Sequence, residues 1–271
     1  MELEFWGVRG TTPVSGKDKL KYGGHTPCAT ATGAAGEILI IDAGTGIKDL
    51  GERLMAEADT QDLELHVLLT HFHLDHIIGL PFFAPLYSSK TVITFYSPSS
   101  PQETEKTLRG VMMGRYFPVD FKETASRKNF VKVPEDSFSI GKLKIFLCPL
   151  HHPQGSVAYK IAENDGSVVF ATDTEPPEQG MDERLISFIK GVTYFIYDAA
   201  FTPEEYRMRQ GWGHSTWLEG TKLARQAGVR NLLLSHFNPD HADNRVDEMV
   251  KLAKQEFPRS AAARERLSLK F

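Results

Sequence analysis

Several things are scarce in this chain, and each scarcity excludes something. Only two cysteines occur, Cys28 and Cys148, far apart in sequence. Neither a disulfide framework nor a cysteine-rich zinc module is therefore open to it, and any metal must be held by histidine and carboxylate. No apolar run approaches the ~18 residues that span a bilayer. The amino-terminal MELEFWGVRG carries early acids and no basic region leading into an apolar stretch, so a cytoplasmic protein with no membrane partner is the expectation. An excess of positive charge is also missing: 31 Lys+Arg against 35 Asp+Glu leave a formal net charge of -4. That balance argues against a broadly basic surface of the kind that coats nucleic acid. Internal repeats and low-complexity linkers are absent as well.

What remains is an ordinary globular composition, 41% hydrophobic and 24% charged over 271 residues, which excludes disordered and fibrous classes and allows a full core. Short β-branched or aromatic runs predict strands at Ile38–Ile41, Leu65–Leu69, Val92–Tyr96, Leu143–Leu147, Val168–Ala171, Tyr194–Tyr197 and Leu232–Leu234. Apolar residues at three or four spacing predict helices at Ile47–Ala58, Arg184–Lys190, Thr216–Ala227 and Val246–Phe257. Gly228 stands where a helix ending at Ala227 takes its C-cap. The mixture is α/β. The stretch 97–135 is irregular, with Pro98, Pro101, Gly110, Gly114, Pro118 and Pro134 among Met112, Met113, Tyr116 and Phe117. It is too short to carry its own core and reads as a lid or pocket wall inserted in a single domain spanning 1–271.

The informative segment follows the strand at Leu65–Leu69. There His71, His73, Asp75 and His76 crowd together in a chain with 10 histidines in all. Imidazole and carboxylate are the donors that zinc, iron and manganese accept where thiolate is lacking. Leaving a strand end, His71 and His73 can face one position while Asp75 and His76 come round to a second, so one loop can feed two metals. The same punctuation recurs. His151 and His152 follow Leu143–Leu147, Asp173 follows Val168–Ala171, and His236 follows Leu232–Leu234. Strand ends are where sheet proteins assemble their sites, so the repetition predicts one convergent centre.

The run His71-x-His73-x-Asp75-His76 resembles the signature of the metallo-β-lactamase superfamily, and the resemblance covers nearly the whole chain. Ile40-Ile41-Asp42-Ala43-Gly44-Thr45-Gly46 is similar to the strand and turn that precede the metal motif there. The interval from His152 to Tyr159 resembles the third ligand motif of the ribonuclease Z-like branch, with Ala158 where that branch has Gly, and it favours His152 over His151 as ligand. Asp173 resembles the bridging aspartate and His236 the last ligand. The resemblance implies a four-layer αββα sandwich with two divalent metals at one edge, zinc first and manganese or iron as alternatives. One metal would take His71, His73, His152 and Asp173; the other would take Asp75, His76, Asp173 and His236. Two dications against two carboxylates leave such a centre positive, which suits a phosphodiester monoanion and its in-line displacement.

Gly213-His214-Ser215-Thr216 narrows the choice of branch. Thr216 and Glu219 spell a capping box opening the helix to Ala227, so His214 precedes a helix amino terminus, a position suited to anions. The segment also resembles the His-Ser-Thr motif of ribonuclease Z-like phosphodiesterases, which implies that His214 contacts the scissile phosphate and helps the leaving group. Asp198 falls where those enzymes carry an acidic residue, usually Glu, that orients the histidine. Gly7-Val8-Arg9-Gly10-Thr11 and Tyr22-Gly23-Gly24-His25-Thr26 resemble segments of small hydrolases related to cyclic-phosphate diesterases, with His25 in place of Asn. A tRNA-processing member of the branch would carry a long basic arm, and no such insertion is visible.

The expectation is a binuclear metal-dependent phosphodiesterase acting on a small or cyclic phosphodiester, with 3′,5′-cyclic nucleotides favoured. In it Asp75 positions the attacking water and can take its proton, and His214, backed by Asp198, stabilises the phosphoryl oxygens or protonates the leaving alkoxide. The rivals are a ribonuclease Z-type RNA 3′-end endonuclease, a thioester or lactone hydrolase, and a metal-dependent sensor or scaffold without catalysis. Nucleic acid is not the expected partner, a homodimer is compatible with the sequence, and a role for His25 or His151 stays open.

Overall fold

The computed structural model describes residues 1–58 and 61–271. Its strands are β1 (Glu2–Gly7), β2 (Cys28–Thr32), β3 (Ile38–Ile41), β4 (Leu63–Leu68), β5 (Thr91–Ser97), β6 (Arg127–Lys132), β7 (Ser137–Ile140), β8 (Leu143–Leu150), β9 (Ser156–Glu163), β10 (Gly166–Ala171), β11 (Tyr194–Asp198), β12 (Asn231–Ser235), β13 (Ser260–Ala262) and β14 (Ser268–Lys270). The helices are α1 (Ile47–Ala58), α2 (Leu74–Ile77), α3 (Pro101–Gly110), α4 (Glu183–Phe188), α5 (Pro203–Tyr206), α6 (Trp217–Ala227) and α7 (Asp243–Glu256). They form two mixed 7-stranded sheets, ordered β14-β1-β2-β3-β4-β5-β6 and β13-β12-β11-β10-β9-β8-β7. Each sheet is antiparallel in one half and parallel in the other, the parallel halves being β3 to β6 and β10 to β13.

Alternation along the strands builds the layers. Leu39 and Ile41 point into the core shared by the two sheets, while Ile40 between them joins Ile47, Leu50 and Leu54 of α1 on the outer side. Helix α3 packs over β5 and β6, whereas α4, α6 and α7 cover the second sheet. The result is the expected αββα sandwich. Helix α6 ends at Gly228, whose left-handed backbone (φ 62) caps it as the sequence requires.

Strands the sequence did not reveal include β1, β2, β6, β7, β9, β13 and β14. The stretch 97–135, which reads as irregular in the sequence, carries helix α3 and strand β6. Its residues complete the first sheet as a parallel β5–α3–β6 crossover, with Ser100 capping α3 through Glu103 N–H (3.2 Å). None of the residues lining the cavity described below comes from it. Among the described residues, no helix is long and apolar enough to cross a membrane.

Candidate metal centre and active site

Register brings the candidate residues to one level. In the second sheet Ala171, Tyr197 and Leu234 are paired neighbours across β10, β11 and β12, so Asp173, Asp198 and His236 emerge side by side. In the first sheet Ile41 pairs with Leu68, which brings out Asp42 beside the chain leading to His71. Asp42, Asp173 and His236 each leave their strand with φ 60. A left-handed turn at a non-glycine residue costs about 1–3 kcal/mol, and here it swings each side chain inward over the sheet ends.

All seven predicted ligands meet there. Donor atoms of His71, His73 and His152 lie within 4.8 Å of one another, as do those of Asp75, His76 and His236. Asp173 stands between the two groups, with Oδ2 3.2 Å from His76 Nε2 and Oδ1 3.3 Å from His236 Nε2 and 3.8 Å from His71 Nε2. Four of the five outer nitrogens are already committed, that of His236 being the exception. His71 Nδ1 meets Thr70 Oγ1 (3.0 Å), His76 Nδ1 meets Asp42 Oδ2 (2.8 Å), His73 Nε2 meets Gln154 Oε1 (2.7 Å), and His152 Nδ1 meets the Gly213 carbonyl (2.9 Å). By contrast, His71 Nε2, His76 Nε2, His236 Nε2 and Asp173 Oδ2 are buried without a hydrogen-bond partner among the described residues. Buried polar atoms left unmade are costly. His71 and His76, with a tied outer nitrogen and an orphaned inner one, show the pattern of ligands oriented toward cations by their outer partners, and the inner nitrogens of His73 and His152 face each other at 3.1 Å, so the donor set fits two metals.

Electrostatics agree with the geometry. Burial, reinforced by the neighbouring His76, pushes His71 down to about 2, so the ring stays neutral. For His76 burial acts downward too, but Asp173, Asp42 and Asp75 together outweigh it and raise the group well above the usual histidine range. Asp173 is held well below the carboxylate range: burial opposes ionisation, and the surrounding histidines His236, His76 and His71 prevail. Such a knot of imidazoles and carboxylates is the charge balance that bound cations take over.

Asp198 is wholly buried and works as a hub. Its Oδ2 accepts from His214 Nδ1 (3.0 Å) and Asp173 N–H (2.9 Å), and its Oδ1 accepts from Ala200 N–H (3.0 Å) and Ser215 N–H (3.1 Å). The pair expected from the sequence is therefore in contact, and with Nδ1 committed, Nε2 of His214 is the nitrogen left for a ligand. Burial lowers His214, but the Asp198 charge and hydrogen bond outweigh it and raise the ring to about 9. Of the expected capping box only half forms. Thr216 Oγ1 accepts from Glu219 N–H (3.1 Å), but the Glu219 carboxylate turns to Lys222 (3.2 Å).

Over the cluster opens a cavity of ≈ 750 Å³, its wall including Thr11, Phe201, Arg209, Trp212, His214 and Asn238. Neither His25 nor His151 joins the cluster: His25 Nδ1 meets Thr45 (3.1 Å) and His151 faces Asp182 (3.5 Å). Sequence reasoning gave no role to Thr11 itself, whose N–H donates to Asp75 Oδ2 (2.7 Å), or to the orienting carboxylate of Asp42, which also receives Thr70 N–H (2.8 Å). The Asp-x-Gly turn at Asp42 was the available signal.

A family model described as a beta-lactamase superfamily domain matches residues 38–237. The chain belongs to the metallo-β-lactamase superfamily, on its ribonuclease Z-like branch, and so to a superfamily of metal-dependent hydrolases. Among curated relatives, ribonuclease Z of Oceanobacillus iheyensis is 25% identical over 240 residues, covering 71% of this chain and 77% of the relative. Ribonuclease Z of Lacticaseibacillus casei is 22% identical over 307 residues, covering 95% and 91%. Among solved structures, the metallo-β-lactamase fold protein YhfI from Bacillus subtilis superposes with a TM-score of 0.73 at 20% identity, covering 99% of this chain and 98% of that one. A diphosphatase of the PhnP family superposes at 0.67 with 16% identity, covering 100% and 97%.

Proposed function

We propose that the protein is a binuclear metal-dependent phosphodiesterase acting on a compact phosphodiester, with a 3′,5′-cyclic nucleotide the favoured substrate and zinc the favoured metal. The observation that carries this reading is the His214–Asp198 pair (3.0 Å) set beside both ligand groups at the mouth of a cavity of ≈ 750 Å³, a volume in the range of small-molecule sites. His71, His73 and His152 would hold one cation, Asp75, His76 and His236 the other, and Asp173 would bridge. Bound there, two divalent cations would supply charge for the phosphoryl oxygens and lower the pKa of the attacking water. Asp75, steadied by Thr11 N–H, would orient the attacking water. His214 presents Nε2 to the phosphate and gives its proton to the departing alkoxide, while Asp198 keeps the ring in the tautomer and orientation for that transfer. Phe201 and Trp212 offer apolar faces and Arg209 a cation at the wall, which suits a base joined to a phosphate.

The second reading is RNA 3′-end cleavage, favoured by the similarity to ribonuclease Z relatives. Against it stand short connections: β7 to β8 turns at 141–142 and β9 to β10 at 164–165. The 307-residue alignment covers 95% of a chain of 271 residues, so the relative carries segments that are lacking here. A hydrolysis panel on metal-reconstituted protein separates the readings. It should include 3′,5′- and 2′,3′-cyclic nucleotides, bis-p-nitrophenyl phosphate, precursor tRNA and a thioester. The highest kcat/KM among natural substrates is expected for a cyclic nucleotide; a higher value for precursor tRNA or the thioester would overturn the reading.

A further inference from the structure

One partly exposed set of contacts next to the centre is used by neither the ligand groups nor the His214–Asp198 pair. Glu175 follows Asp173 by two residues. Its own N–H donates to the His151 carbonyl (2.8 Å), beside the candidate ligand His152. Its carboxylate collects three donors from another part of the chain: Oε1 accepts from Tyr206 Oη–H (2.9 Å) and Gly211 N–H (2.6 Å), and Oε2 accepts from Gly213 N–H (3.0 Å). The carboxylate thus grips the loop on both sides of Trp212.

Besides that grip, Trp212 N–H donates to the Arg209 carbonyl (3.2 Å). Trp212 is 62% exposed, and Gly211 and Gly213 sit at φ 84 and φ 82, in the region only glycine enters without strain. Yet the loop performs two tasks at once. The Gly213 carbonyl accepts from His152 Nδ1 (2.9 Å), fixing which nitrogen of His152 faces the ligand group, and the next residue is His214. The fit is close as well, because a Cβ on Gly213 would lie 2.2 Å from His152 Nδ1. A loop displaced by 1 Å would loosen the His152 tie and shift the His214 ring together.

We propose that Glu175 is a positioning residue: it clamps the loop Gly211–Gly213 to the strand end that carries Asp173, and so sets His214 against the metal ligands. Charge matters to this role, since a carboxylate accepts from backbone N–H groups with both oxygens and hydrogen bonds to an ionised acceptor are the stronger kind. Glu175→Gln keeps one acceptor but turns an NH2 toward a backbone N–H, so it should release one side of the loop. Glu175→Ala should release both.

The kinetic part of the test rests on the phosphodiesterase reading; the structural part does not. Hydrogen exchange of the segment 205–214 is compared in metal-loaded wild type, Glu175→Gln and Glu175→Ala, with metal content measured alongside. The clamp requires faster exchange at Gly211 and Gly213 in Glu175→Ala, a smaller change in Glu175→Gln, and unchanged exchange in the sheet strands. Unchanged exchange at those glycines overturns it, whatever the substrate proves to be. For catalysis, kcat on an unactivated phosphodiester should fall by up to about 10²-fold, the scale of a small misplacement of a catalytic group, with KM little altered. In a His214→Ala background the same substitution should cost far less, because the group it positions is gone. A loss of equal size in both backgrounds, or equal losses on activated and unactivated esters, would overturn the role through His214. If wild type cleaves no phosphodiester at all, the substrate reading fails and the exchange comparison alone decides the clamp.

Discussion

Replacing His214 with alanine separates catalysis from metal binding. The ring is held through Nδ1 by Asp198 (3.0 Å) and stacks on His236 with centroids 5.0 Å apart, but it belongs to neither of the two histidine groups that would each hold a cation. Asp198 would lose that donor and keep the N–H groups of Asp173, Ala200 and Ser215, so its buried charge is not stranded. The structural cost is that of one hydrogen bond to a charged group, about 1.5–3 kcal/mol, and metal content should equal that of wild type. The kinetic cost is larger: kcat on an alkyl phosphodiester should fall by about 10²- to 10⁴-fold, the range for loss of one acid or oxyanion contact. With bis-p-nitrophenyl phosphate the loss should shrink, since p-nitrophenolate departs without a proton. Asp198→Asn should give a smaller loss in the same direction. Because Asp198 raises His214 against the effect of burial, the protonated ring persists at neutral pH, and the rate that depends on it declines as pH rises through the ring's pKa. Removing the Asp198 charge should move that alkaline limb to lower pH. Rates on both esters are measured across pH for each variant. Equal losses on the two esters would refute the acid role, and no loss on either would take His214 out of the site.

Asp75→Ala and His76→Ala should each abolish turnover and lower metal content to about one ion per chain, while circular dichroism shows the fold intact, because a core of this size does not need metal to fold. Near-normal activity with both metals bound would contradict their assignment. Gly10→Ala places a Cβ 2.5 Å from the His236 ring, so the same metal position should weaken while the first is retained, a split that elemental analysis reads directly. Tyr159→Phe removes the hydroxyl that donates to the buried Leu69 carbonyl (2.9 Å); urea unfolding should show a loss of about 1–3 kcal/mol with metal content unchanged.

The centre was legible where chemistry is written locally. Histidines and aspartates after apolar runs marked β4, β8, β10 and β12, and the structure gathers those strand ends at one edge. Helix α1 coincides with its expected span, since its apolar spacing is a property of the segment itself. What stayed hidden depends on pairing at a distance. Strand β14 takes its place beside β1 from the far end of the chain, with Leu3 opposite Leu269, and three-residue strands carry too little alternation to be seen. The stretch 97–135 read as irregular because its prolines stand at the first turn of α3 and in loops, where proline is at home. Asp42 sits in a turn the sequence marks and Glu175 looks like an ordinary loop acid, but each becomes an orienting group only when distant backbone N–H groups or a histidine ring arrive at its oxygens. Glu219 spelled a full capping box, but Lys222 lies one turn away and draws its carboxylate off.

The central claim is two metals acting together on a phosphodiester. The most direct measurement titrates metal-free protein with Zn²⁺ or Mn²⁺ while following hydrolysis of bis-p-nitrophenyl phosphate. The account expects activity to rise until two equivalents per chain are bound and then to level. Full activity at one equivalent, or binding of two equivalents without any hydrolysis, would contradict it.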